Sequence, residues 1–154
     1  MIPEFDGLRE DEIELLLKAP IYVSILIAGA DGLIDDRERK ESIETARSKQ
    51  VRARAQLIDY YKEVATDFDL KMEKLIRELP DDAEKRTSDI VIELRKLNRI
   101  LPKVDKAWAT TFYASLKDMA KRVAEASGGI LGYLSVSYDE AKLVELKMID
   151  DPSK

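Results

Sequence analysis

Neither cysteine nor histidine occurs anywhere in the 154 residues of this chain. Those two absences remove whole classes of chemistry: no thiolate nucleophile, no structural Cys/His zinc site and no Ser-His-Asp triad can be built. Glycine and proline are scarce, six and five residues, and they punctuate stretches of helical periodicity. No long apolar run is present either. The two longest uncharged stretches, Ala19 to Ala30 and Ala126 to Tyr138, have 12 and 13 residues, whereas a membrane-spanning helix needs about 20. The N-terminal stretch Met1 to Glu14 is acidic rather than basic and then apolar, so no secretory signal is read there. These features predict a soluble, cytoplasmic protein with no transmembrane segment.

What is there is apolar enough to fold, at 45%, and heavily charged, at 37%. A chain of this length is one ordinary domain, residues 1–154, able to bury roughly 70% of its unfolded surface in a single core. The net charge of −5 gives no general attraction to nucleic acid or to anionic membranes.

Periodicity predicts an all-α bundle of seven to eight helices. Arg9 to Lys18 reads as an amphipathic first helix, with Ile13, Leu16 and Leu17 on one side and Glu10, Asp11 and Glu14 on the other. Pro20 suits the first turn of a second helix, apolar nearly all round and therefore central. A buried strand competes for so short a β-branched run, but helices on both sides and the lack of a matching strand argue against it. Gly32 ends that helix, and Asp35 with Glu38 forms a capping-box pattern for a third, to about Ser48. Ala53 to Val64 follows, with Leu57, Tyr60, Tyr61 and Val64 inward. Asp67 caps the next, in which Leu70, Leu75 and Leu79 face the core as far as Pro80. Asp82 to Leu101 forms one long helix with Ile90, Leu94, Leu97 and Leu101 in its stripe. Val104 to Ala126 carries Trp108, Phe112, Met119 and Val123. After a glycine-rich loop, Ser137-x-x-Glu140 opens a last helix to about Ile149, and the tail from Asp150 to Lys154 frays. The expected core includes Leu26, Ile27, Leu57, Leu94, Leu97, Trp108, Phe112 and Leu143.

One segment concentrates carboxylates: Ala28-Gly29-Ala30-Asp31-Gly32-Leu33-Ile34-Asp35-Asp36-Arg37-Glu38. Set against a calcium-binding EF-hand loop, Asp31, Gly32, Asp35 and Glu38 match its second half. The first two ligand positions fall on Ile27 and Gly29, which carry no oxygen ligand, so an ordinary EF-hand is rejected. A hard divalent ion such as Ca²⁺ could still bind Asp31, Asp35 and Glu38 if another helix supplied carboxylates. Glu10, Asp11 and Glu14 are the candidates. The alternative needs no metal: Asp31-Gly32 makes a turn, Asp35 caps the next helix, and Asp36 and Glu38 favour the positive end of its dipole.

The motif Ala30-Asp31-Gly32, with Ile34 and Glu38, resembles the signature of the TerB-like (tellurite-resistance) family. A degenerate second copy is read at Ala124-Glu125-Ala126-Ser127-Gly128 and Val136-Ser137-Tyr138-Asp139-Glu140, with Ser127 in place of Asp31. The resemblance implies a compact all-helical domain with an internal helix–turn–helix repeat, acidic metal sites and a role in a stress response.

Other motifs carry less. The basic residues Arg37, Arg39, Lys40, Arg47, Lys49, Arg52 and Arg54 could meet phosphates, but interleaved Glu41 and Glu44 fit a solvated helix face better. Trp108 and Phe112 read as core. The loop Ser127 to Gly132 lacks the Lys and Ser/Thr of a phosphate-binding loop. Two function classes follow. The first is a non-enzymatic helical binding module, cation-responsive or a plain protein-interaction domain, with a protein partner and no nucleic acid. The second is a metal-dependent hydrolase using clustered carboxylates.

Overall fold

Ten consecutive residues, from Ala19 to Ala28, are buried on every side of one helix, and the rest of the molecule is arranged around it. The computed structural model describes residues 2–29, 39–45, 48, 55–128 and 143–154. Within them lie α1 (Glu10–Ala28), α2 (Ala55–Thr66), α3 (Phe68–Glu78), α4 (Ala83–Arg95), the short α5 (Leu97–Ile100) and α6 (Lys106–Gly128). Single 3₁₀ turns form at Pro3–Phe5 and Leu101–Lys103. Residues 39–45 are helical as well, and no strand occurs among the described residues. The described residues are thus all-helical, with six bounded helices and the segment 39–45 where seven to eight helices were expected. Helix α1 touches all five others.

The first correction concerns proline. Arg9 to Lys18 and the run after Pro20 are not two helices but one, of 19 residues, with Pro20 inside it. Proline has no N–H to give the carbonyl four residues back, and its ring crowds that carbonyl. Here the carbonyl belongs to Leu16, and the Tyr60 hydroxyl on α2 donates to it at 2.5 Å. A tertiary donor therefore replaces the missing intrahelical one, and the helix continues.

Tyr60 also stands in an aromatic cluster. Its ring meets Trp108 and Phe112 of α6 edge-on, at 5.6 and 5.4 Å between centroids. Trp108 and Phe112 stack on each other at 5.1 Å and 11°. Phe5, whose burial the acidic N-terminal composition did not suggest, closes the cluster edge-on to Trp108 at 5.4 Å. The Tyr61 hydroxyl, fully buried, bonds Ser115 Oγ and joins α2 to α6.

The inward stripes of α2 and α6 and the residues Ile90, Leu94, Leu97 and Leu101 are buried as expected. Other positions differ. Leu70 is 66% exposed, because α3 is phased by Phe68, Met72 and Leu75, and Leu70 lies two residues from Phe68, on the far side. The helix expected from Asp82 to Leu101 breaks at Lys96, whose N–H bonds Glu93 O in a tight turn. The last helix, expected to reach Ile149, gives way to turn from residue 145, and Leu146 adopts a left-handed φ of 49° with its side chain buried. Leu143 is only partly buried. Both ends of the Asn98 amide hold the C-terminal segment, bonding Met148 O at 3.0 Å and Asp150 N at 2.7 Å, where a frayed tail was expected.

The internal repeat placed a turn at Ser127-Gly128. Instead α6 runs through Gly128, so those residues are helical and do not form that turn. The alanine-rich approach from Ala120 favours helix as far as Gly128. The remaining parts of the repeat, 30–38 and 129–142, lie outside the described residues.

Replacing Tyr60 with Phe leaves the Leu16 carbonyl buried without a donor, a loss of about 1–3 kcal/mol in chemical denaturation. Pro20→Ala restores an N–H to the same carbonyl. In that background Tyr60→Phe is expected to cost less by about 0.5 kcal/mol or more. Equal losses in the two backgrounds would refute the substitution of donors.

Candidate functional site

Of the six candidate ligands, three lie among the described residues. Asp31, Asp35 and Glu38 lie outside the described residues. Glu10, Asp11 and Glu14 occupy the first turns of α1. The expected site needed a bend at Pro20 to fold those turns back beside the motif. Because α1 is continuous, Glu10 instead lies about 27 Å along the helix from Ala28, where the motif begins. Among the described residues no group of three or more metal-ligating side chains is arranged to hold an ion.

Two of the described candidates, Asp11 and Glu14, open onto a groove of about 390 Å³ between α1 and the α4–α5 break. Leu15, Tyr22 and Ile100 provide its apolar surface. Arg9, Lys18, Lys96 and Arg99 face it, and so do Asp11, Glu12, Glu14 and Glu93, four cations against four anions. Most are already engaged. Asp11 takes Arg9 at 3.1 Å, Glu14 takes Lys18 at 2.8 Å, and Lys96 pairs with Glu93. The Lys18 ammonium holds the Glu14 carboxyl below its ordinary range, and Glu93 raises Lys96 in turn. A divalent ion entering here would have to displace these cations.

Glu12, absent from the expected set, is the buried member, 4% exposed. One carboxylate oxygen accepts the Arg9 backbone N–H at 3.0 Å, capping the start of α1. The other accepts Lys103 Nζ at 2.7 Å, tying α1 to the 3₁₀ turn after α5. The backbone bond from Arg9 first, and then Lys103, hold its carboxyl below the ordinary carboxylate value. Its place three residues after Arg9 is a capping spacing visible in the sequence, while the partner Lys103 is not.

A second buried charge closes the other end of α1. Arg86 of α4, 6% exposed, donates from Nη2 to Gly29 O at 2.9 Å and from Nη1 to Asp81 O at 3.2 Å. Its charge suits the negative end of the α1 dipole. A Cβ at Gly29 would lie 2.7 Å from Arg86 Nη2, so a side chain there would force the guanidinium to move. No sequence signal marked Arg86, one more charge on an amphipathic helix. Arg39, part of the basic run, pairs with Glu73 of α3 at 2.7 Å. Among the described residues every buried side-chain polar atom has a partner, and no helix is long and apolar enough to cross a membrane.

Against known proteins, no family profile matches the chain, and no solved structure matches it. A curated protein of Methanothermobacter thermautotrophicus, uncharacterized protein ORF11', is 29% identical over 140 residues, spanning 88% of this chain and 82% of its own length.

The Glu12 arrangement makes a definite prediction in acid. A carboxyl whose pKa is depressed by folding contributes stability that is full above its ordinary value of 4.5 and is lost as pH falls through the lower folded value. Glu12→Gln keeps a side chain able to accept from Arg9 N but removes the charge. Its stability is expected to be lower near neutrality and to fall less steeply than the native protein's as the pH drops below 4.5. Parallel acid-denaturation curves would contradict this.

Proposed function

We propose that this chain is a non-enzymatic helical binding module that docks a protein partner along the α1–α4 groove, in a stress response of the TerB-like kind. The groove's alternation of four cations and four anions over Leu15, Tyr22 and Ile100 carries the reading. Mixed charge beside apolar surface complements another protein, whereas a phosphate backbone calls for a field of one sign. The hydrolase alternative finds less support, because Asp11, Glu12 and Glu14 are each held by a cation rather than poised as acid, base or ligand.

A photocrosslinking side chain at Arg99 tests the reading against one at exposed Lys121 on α6. Position 99 is expected to trap one defined protein in cells, and position 121 is not. Equal trapping at both, or none at either, would overturn the groove as the docking surface.

The cation-responsive form of the module rests on Asp31, Asp35 and Glu38. At free Ca²⁺ a hundredfold above its dissociation constant, mass action adds about 2.7 kcal/mol and raises the melting temperature. Asp31→Asn is expected to abolish that rise while leaving the metal-free protein about as stable. A native melting temperature unmoved by millimolar Ca²⁺, Mg²⁺, Mn²⁺ and Zn²⁺ would leave these carboxylates as caps and turn residues.

A further inference from the structure

Two helices present the same short pattern to one trough. On α3, Leu75, Glu78 and Leu79 fall at i, i+3 and i+4, and on α4, Asp89, Ile92 and Glu93 repeat that spacing, so each set shares one helix face. These residues and Tyr22 line a trough of about 360 Å³. Its bottom is apolar: Tyr22 and Leu75 are buried, Leu79 is partly so, and Ile92 stands in it 52% exposed. Leu70, the other large apolar side chain exposed among the described residues, does not line it.

The rim is of one sign. Among the described residues, Glu78, Asp89 and Glu93 are the charged ones that line it, and no cation does. Lys74 forms an ion pair with Glu78 at 3.9 Å and Lys96 with Glu93, each within one helical turn in sequence, and both lysines are more than half exposed. Solvent screens pairs of this kind, and a cation of the partner can exchange for either lysine. Asp89 has no hydrogen-bond or ion-pair partner among the described residues. Through Tyr22 and Glu93 the trough is continuous with the mixed-charge groove on α1.

We infer that the α3–α4 trough is the anchor point of the docking surface, and that its occupant is a cationic amphipathic helix of a partner protein. An apolar side chain of the partner packs on Leu79 and Ile92, and Lys or Arg residues one turn to either side meet Asp89, Glu78 and Glu93. The carboxylate rim selects against an anionic polymer, and the apolar bottom selects for a segment with one hydrophobic face. The inference rests on the binding-module reading and names the chemistry of the partner.

The test uses the whole chain, ¹⁵N-labelled, titrated with a Leu/Lys amphipathic peptide of about five helical turns and with the same peptide carrying Glu for Lys. The Leu/Lys peptide is expected to shift the amides of Leu79, Asp89 and Ile92, and the Leu/Glu peptide is not. Ile92→Ser and Asp89→Lys should each weaken binding about tenfold or more, while Leu70→Ser, outside the trough, leaves it unchanged. Shifts centred on Lys96 and Arg99 instead would overturn the anchor and leave the module reading standing. Equal binding of the two peptides, or affinity indifferent to Asp89→Lys, would overturn the charge assignment. A dimer of the chain alone that Ile92→Ser dissolves would make a second copy the occupant and overturn the inference. No binding of either peptide would overturn it too, with the crosslink at position 99 still deciding the wider reading.

Discussion

A helix buried on every side has no water to satisfy its backbone, and α1 faces that constraint with a proline in its interior. The bond from the Tyr60 hydroxyl to the Leu16 carbonyl resolves it. One unpaired carbonyl in the core would cost a substantial share of a small domain's margin of stability. The bond also dictates where α2 lies along α1, and Tyr60 in turn places Trp108 and Phe112 through its ring edges. The position of α6, and through Phe5 that of the N-terminal turn, follows from the same residue.

The two ends of α1 are closed by buried charges of opposite sign, each in the position its dipole favours. Glu12 accepts at the start and Arg86 donates at the end. Both reach other elements, Lys103 after α5 and Asp81 before α4, so helix capping and tertiary packing are the same contacts. The buried polar groups are thereby spent on architecture. Chemistry directed outward falls to the surface, where the α1–α4 groove and the α3–α4 trough place apolar side chains beside charge.

Fold class and most inward stripes were legible in the order of residues alone. Apolar residues at helical spacing, with few glycines and prolines between, leave little but helices, and Trp108, Phe112, Met119 and Val123 are buried as their spacing requires. Asp67 reads as a cap and does stand at the start of α3, but without a side-chain cap bond; Asp82, whose side chain does cap by accepting Lys85 N at 2.9 Å, is not read as one. Periodicity alone mistook Leu70 for core, because a helix's phase is chosen by its largest buried residues, here Phe68 and Met72. Whether Pro20 would break α1 waited on packing, since the deciding donor, Tyr60, stands 44 residues from Leu16, whose carbonyl it satisfies. That outcome places Glu10, Asp11 and Glu14 at the opposite end of one continuous helix from Ala28, where the motif starts. The same holds for Glu12 with Lys103 and for Arg86 with Gly29. Their pairings join residues 91 and 57 positions apart, and a local pattern carries no information over such distances until packing brings the partners together.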